Sequence, residues 1–294
     1  MTQAPTATVD GETTRRRRWG WLLLIPGLLY LAVFFVFPTI QLFFTSLYDP
    51  SGSFELGYQM TWHFGNYVDA VRDNWNLFLR SFAYAGTATV ICLTLGYPLA
   101  YAIAFKAGRW KHVMLVLVIA PFFTSFLLRT LSWRTILADN GPVTGFLQTI
   151  NVLPEDGRLL ATPVAVIAGL TYNFMPFMTL PIFASLDKVD YRLVEASGDL
   201  YASPLTGFRK VTWPLSLPGV VAGTLLTFIP ATGDFINASL LGNPNTSVIG
   251  NVVQTQFLNR NDYPTAAAIS FVLMAIITVL VLIYAKFLGT EDLA

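Results

Sequence analysis

The residues able to do chemistry in this 294-residue chain are few, and they sit in or beside apolar runs. Asp234 is the one carboxylate within a span-like stretch, which extends from Gly219 to about Leu241. Arg129 closes another such stretch, Val113 to Leu128. A charge at the centre of a membrane helix costs about 2.5–3.5 kcal/mol on insertion scales, so such residues face a partner or a wet cavity. Two arrangements fit Asp234. It pairs with Arg129 or sits at the outer interface and serves structure, or it lines a solute path and attracts a cation. Trp133, Tyr172, Phe174 and Phe177 offer cation–π surface on such a path, and equally fit packing or interfacial anchoring. Arg129 opposes a simple cation funnel unless it is neutralised. No catalytic constellation accompanies these groups. The serines and threonines of the runs have no His and carboxylate beside them. Cys92 is the single cysteine, which excludes an internal disulfide and a cysteine-based metal cluster. His63 and His112 lie far apart, on opposite predicted sides of a membrane, so no metal site is expected. A phosphate-cradling Gly-x-x-x-x-Gly-Lys-Ser/Thr loop is also lacking, so ATP-driven work would need another chain.

The elements that position these residues are membrane helices. The chain is 54% hydrophobic and 12% charged, against about 25% charged in soluble domains. Its net charge of +1 offers no basic field for nucleic acid. A membrane helix needs about 20 apolar residues. The uncharged run Trp19 to Tyr48 supplies them after Arg15–Arg18. It greatly exceeds the ~7–15-residue apolar core of a signal peptide, and no small-x-small site closes it. Further runs cover Ser81–Phe105, Val113–Leu128, Leu159–Leu186, Gly219 to about Leu241, and Tyr263–Ala285. Residues 49–80, 135–160 and 243–262 read as polar connections, with a weakly amphipathic piece at Val143–Leu153.

Six spans put both termini on one side. Arg15–Arg18, Lys106, Arg109, Lys111, Lys188, Arg192, Arg209, Lys210 and Lys286 share one set of compartments. The other holds Arg72, Arg80, Arg134, Arg158 and Arg260. Basic residues collect in the cytoplasm, so the termini and the 187–218 loop are expected there.

That loop is the longest polar interruption in the second half. Asp190 is placed to cap a short helix from Tyr191 to about Leu200. Ser203-Pro204 reads as an N-cap followed by proline at the first helical position. The second helix carries Leu205, Phe208 and Val211 on one face, and Pro214 and Pro218 are expected to end it before the next span. Two such helices can lie on the membrane surface or be gripped by a cytoplasmic protein.

The loop resembles the cytoplasmic EAA loop of binding-protein-dependent ABC importer permeases. Glu195, Ala196 and Ser197 stand at its Glu-Ala-Ala triplet, and Val211, Thr212, Trp213 and Pro214 at its Ile-x-Leu-Pro. Tyr201 stands where the family has glycine. If that glycine serves a left-handed turn, tyrosine there costs ~1–2 kcal/mol. Otherwise the turn differs, or Gly198 takes up the bend. The resemblance implies that Glu195, Ala196, Ser197, Gly198, Asp199, Leu200, Tyr201 and Phe208 dock into a cleft of a cytoplasmic ATPase. It extends over most of residues 20–288. Pro121-Phe-Phe-Thr-Ser-Phe-Leu-Leu-Arg-Thr130, Pro230-Ala-Thr-Gly-Asp-Phe235, and Ile249-Gly-Asn251 with Gln256-Phe257 are similar to spermidine/putrescine permeases of the PotB type.

The reading is an all-α polytopic membrane protein. It has a basic cytoplasmic tail (1–18), a six-span permease domain (19–287) with the coupling-helix loop at 187–218, and a short cytoplasmic tail (288–294). The resemblance implies an inner-membrane permease subunit of an ABC importer for polyamines or a related small organic solute, and not an enzyme. Its implied partners are a second permease, an ATP-binding subunit dimer that carries ATP and Mg, and an extracytoplasmic solute-binding protein. No cofactor is expected in this chain. The other function compatible with the residues is a non-transporting membrane scaffold whose loop recruits a cytoplasmic partner.

Overall fold

The computed structural model describes residues 24–52 and 57–287. Arg15–Arg18, the start of the first apolar run, Glu55 and the segment after Phe287 lie outside the described residues. The described chain is helical throughout, apart from turns, coil and an isolated bridge between Tyr48 and Met60. Five helices are long and apolar enough to cross a membrane, and a bent pair supplies a sixth span if counted as one.

In chain order the helices are α1 (Leu24–Thr45), α2 (Gly65–Lys106), α3 (Gly108–Phe123), α4 (Phe126–Ile136) and α5 (Pro142–Thr149). There follow α6 (Pro163–Leu186), α7 (Tyr191–Asp199), α8 (Pro204–Gly233), α9 (Ile236–Leu241), α10 (Ile249–Gln254) and α11 (Tyr263–Phe287). The centre is built from α2, α6 and α8. Ala85, Ala88, Val166, Leu170, Phe174 and Ala231 pack at one level, and Cys92, Tyr97, Met178, Ile182, Leu186 and Val220 at another. Lipid is as apolar as leucine, so close backbone approach rather than apolar burial holds such helices together. Gly219 shows this. A Cβ there would lie 2.6 Å from the Ser185 Cβ, so α6 and α8 meet only because the side chain is missing. Helix α1 stands apart, with none of its apolar window buried. It touches the bundle through Phe43, whose ring meets Phe271 of α11 edge-on at 5.6 Å.

Four expectations are corrected. Residues 65–80 are not loop but the first turns of α2, which is 42 residues long. The stretch holds no Gly or Pro after Gly65. Its charges Asp69, Arg72 and Asp73 are exposed, while Asn66, Ala70 and Phe78 face inward. The third run is broken. Extended backbone at Thr124 and Ser125 turns α4 by 95° from α3, so Arg129 lies past the bend and not at the end of a straight span. The fifth span ends at Gly233, where Asp234 (φ −71°, ψ 110°) separates α8 from α9. Residues 243–262 are largely folded inward rather than forming an open polar loop. Thr246, Val248 and Ile249 are buried, and the Ile249 N–H donates to the Ser81 Oγ at 2.8 Å.

Candidate functional site

At one end of the bundle the loop between α6 and α8 is fixed by its caps. The Asp190 side chain accepts from the Arg192 N–H at 3.0 Å, and the Ser203 Oγ from the Thr206 N–H at 3.3 Å. Both caps match the sequence reading. The expected stop at Pro214 and Pro218 does not occur, and Pro204 to Gly233 is one helix of 30 residues. Its turn Phe208–Thr212 is π-helical, with the Trp213 N–H reaching the Phe208 carbonyl. That wider turn accommodates Pro214, which has no N–H and would clash with the carbonyl four residues back.

Helix α7 exposes Glu195, Ala196, Gly198 and Asp199, and its end closes in a Schellman turn. The Ala202 N–H donates to the Ser197 carbonyl at 3.1 Å and the Tyr201 N–H to the Gly198 carbonyl at 2.9 Å. Tyr201 holds the left-handed position at φ +58°. This position favours glycine, and an L side chain there costs about 1–2 kcal/mol. So the conditional turn does form, and Gly198 does not replace it. Leu200 and Tyr201 are 81% and 98% exposed.

The rest of the loop is tied to the spans. Phe208 turns inward and Ser197 is half-buried against Gly207, unlike the other residues assigned to docking. The Phe208 ring lies 5.6 Å from Tyr97 and 6.2 Å from Trp213, so it anchors the loop. The Tyr97 hydroxyl and the Ser216 Oγ are 2.8 Å apart. Tyr191 meets Phe105 of α2 at 5.3 Å, and Lys111 at the start of α3 forms an ion pair with Asp187. Gly207 lets α7 cross the start of α8, since a Cβ there would sit 2.7 Å from the Ser197 Oγ. Displacement of α7 therefore reaches α2, α3, α6 and α8. Gly207 and Tyr97 escape a motif-based reading because their role is contact across the fold.

Deeper in the bundle the structure shows no Asp234–Arg129 pair. Asp234 instead binds Asn237 twice, accepting from its backbone N–H at 2.8 Å and its Nδ2 at 3.0 Å. The Asn173 Nδ2 donates to the Asn237 Oδ1 at 3.2 Å and to the Thr130 Oγ1 at 3.3 Å. A buried polar chain thus joins the end of α8 to α9, α6 and α4. Sequence reasoning missed Asn173 and Asn237. The available signal was an amide inside an apolar run, where an unsatisfied polar group is costly. Arg129, next to Thr130, is 9% exposed, and its Nε and Nη1 have no hydrogen-bond partner among the described residues. It lies over the rings of Phe122 and Phe126 at 5.3 and 5.7 Å. Phe122 meets Phe177 at 5.0 Å, Phe177 meets Phe174 at 6.0 Å, and Trp133 meets Tyr172 at 5.4 Å. Phe174 is a core residue, whereas Phe177 is 36% exposed.

Residues 22–288 match the family described as "Binding-protein-dependent transport system inner membrane component". The chain belongs to this family. It is a permease subunit of an ABC importer and a transport protein rather than an enzyme. It is 34% identical over 278 residues to the spermidine/putrescine transport system permease protein PotB of Haemophilus influenzae, covering 90% of each chain. It is 39% identical over 206 residues to PotB of Escherichia coli, covering 70% of this chain and 75% of that one. The fold is similar to that of a chain in a bacterial alginate ABC transporter solved in complex with an alginate pentasaccharide-bound periplasmic protein. There the TM-score is 0.69 at 18% identity, with 95% of this chain and 96% of that chain covered.

Proposed function

We propose that this permease passes a polyamine, or a closely related cationic solute, across the inner membrane, driven by a separate ATPase that grips the α7 loop. The similarity to the PotB proteins supports the solute class. The mechanism rests on one observation, the continuity of α8 from the loop to the Asp234 break. The 187–218 loop and both termini lie in the cytoplasm, following the basic-residue bias. A second permease completes the membrane path, two ATPase copies bind ATP and Mg, and an extracytoplasmic binding protein delivers the solute. The domain limits are 1–18, 19–287 and 288–294. ATP binding closes the ATPase pair and moves α7. Ion pairing through Asp187, ring contacts through Tyr191 and Phe208, and the unbroken helix carry that motion to the spans.

Asp234 lies on the solute path in this reading. Its carboxylate is held in place by Asn237, so it is oriented before a cation arrives. Of the aromatics, Phe177, Tyr172 and Trp133 retain accessible surface for a cation, whereas Phe174 supports them from the core. The test is ATP-dependent uptake of labelled spermidine into vesicles holding the complete transporter. Asp234→Asn should abolish uptake while basal ATP hydrolysis persists. Undiminished uptake would remove Asp234 from the path. Uptake of a different solute only would overturn the polyamine assignment.

A further inference from the structure

Among the described residues, five buried side-chain nitrogen or oxygen atoms have no hydrogen-bond partner, and two of them, Nε and Nη1, belong to Arg129. The other three are neutral oxygens on Asn173, Thr227 and Gln256. The third guanidinium nitrogen of Arg129, Nη2, makes no hydrogen bond there either, and it is the one not sealed off. Phe122 and Phe126 answer part of the charge but leave the N–H donors unmet. A buried guanidinium is costly unless an anion meets it. The carboxylates on the elements around it are engaged elsewhere, Asp234 with Asn237 and Asp139 with Arg158. The surface beside Arg129 has a second irregularity. Thr124 and Ser125, extended at the α3–α4 bend, are exposed.

We propose that a carboxylate of the second permease subunit enters at the α3–α4 bend and pairs with Arg129. This rests on the reading that a second permease completes the membrane path. Depth decides against lipid as the source of the anion. At ~1.5–2.0 Å per residue α3 rises about 24–28 Å, short of the ~30 Å hydrocarbon core. Tilt shortens the rise further. Lipid phosphates lie outside that core, and Arg129 is held beneath two rings rather than extended toward them. Irregular backbone at this depth is tolerated only where protein or a wet cavity covers it. The exposed bend therefore faces the inside of the transporter. A cationic solute brings no anion for Arg129, which leaves an acid of the neighbouring subunit. The planar guanidinium fork suits a carboxylate by two parallel hydrogen bonds. The pair also bears on transport. An unpaired guanidinium near the path repels a polyamine, and a paired one does not. The path thus accepts a cation only once the two permeases are assembled.

The experiment uses two variants in the complete transporter. Arg129→Lys keeps the charge and supplies a reactive amine. Dicyclohexylcarbodiimide, an apolar reagent, activates carboxylates at membrane depth. A lysine in contact with one displaces the urea and forms an amide bond, which mass spectrometry locates. The expected product joins this chain to the second permease, and it should be missing from the unaltered transporter. Arg129→Gln strands the partner carboxylate, so exchange between differently tagged subunits should show the permease pair weakened about thirtyfold. Changing the crosslinked carboxylate to its amide should bring that pair back to within about threefold. No crosslink, a crosslink confined to this chain, or Arg129→Gln pairing within about twofold of the unaltered subunit would overturn the proposal. In those cases spermidine uptake by the unaltered pair would still uphold the proposed function. A crosslink between two copies of this chain would defeat the second-permease reading along with the proposal.

Discussion

Asn173→Leu tests the buried polar chain. Leucine is close in volume and suits an apolar span, so hydropathy alone predicts unchanged or improved stability. The structure predicts the reverse. The Asn173 amide donates to Asn237 at 3.2 Å and to Thr130 at 3.3 Å. Thr130 keeps its own bond, donating to the Phe126 carbonyl at 3.1 Å, so its loss is small. Asn237 is 0% exposed, and its Oδ1 would be left without a donor. An interhelical hydrogen bond in a membrane protein averages ~0.6 kcal/mol, and a stranded buried acceptor costs ~1–3 kcal/mol. The Asn173 Oδ1 is itself buried without a hydrogen-bond partner among the described residues, and leucine removes it, so the two acceptor terms offset. The expected loss is about 0.6 kcal/mol, or roughly threefold in an unfolding equilibrium. The assay is denaturant unfolding of the purified permease pair in detergent. Asn173→Leu with Asn237→Leu should lose less than the sum of the two single changes, because no amide then remains to be stranded. A gain in stability, or strict additivity, would refute the chain as a structural link.

Arg129→Gln and Asp234→Asn should show a coupling energy near zero in a double-mutant cycle on complex stability, because Asp234 bonds Asn237 and not Arg129. A large favourable coupling would restore the ion pair. Gly207→Val should displace α7 by forcing a side chain toward the Ser197 Oγ, and ATPase retention should fall while membrane insertion is unchanged. Lys111→Ala should change stability by less than about 1 kcal/mol, since the pair with Asp187 is partly exposed; any larger effect should appear in the ratio of solute moved to ATP hydrolysed. A cysteine at position 200 in a Cys92→Ala background should resist impermeant labelling from outside intact cells. Labelling there would reverse the topology.

The spans and the loop caps were legible because they depend on local terms, namely apolar length, Asp190 before a helix, and Ser203 before Pro204. The elements misread depend on what lies across the fold. Pro214 is a helix breaker by sequence, and only the wider turn at Phe208–Thr212 keeps α8 continuous. Asp69, Arg72 and Asp73 suggested a loop, yet charge does not end a helix whose other face is buried. The break at Asp234 and the inward fold after it rest on contacts such as Ile249 to Ser81, 168 residues apart in sequence. Tyr201 was legible as an anomaly, since the motif required glycine, but its left-handed backbone was visible only in three dimensions.

Mechanically, α8 is a lever. Thirty residues span about 45 Å at ~1.5 Å per residue, and in the proposed mechanism the load is applied near the Schellman turn and delivered at the Gly233–Asp234 break. A tilt of roughly ten degrees about one end would sweep the other through about 8 Å, more than the width of an extended amine chain. The lever is not uniformly stiff. Pro218 and Pro230 each leave a backbone carbonyl without its helical donor, so flexure concentrates there. Stroke lost to bending at Pro218 never reaches Asp234. On the proposed mechanism the fraction of ATP turnover converted to transport is set partly by the elasticity of one proline rung, so Pro218→Ala should raise it.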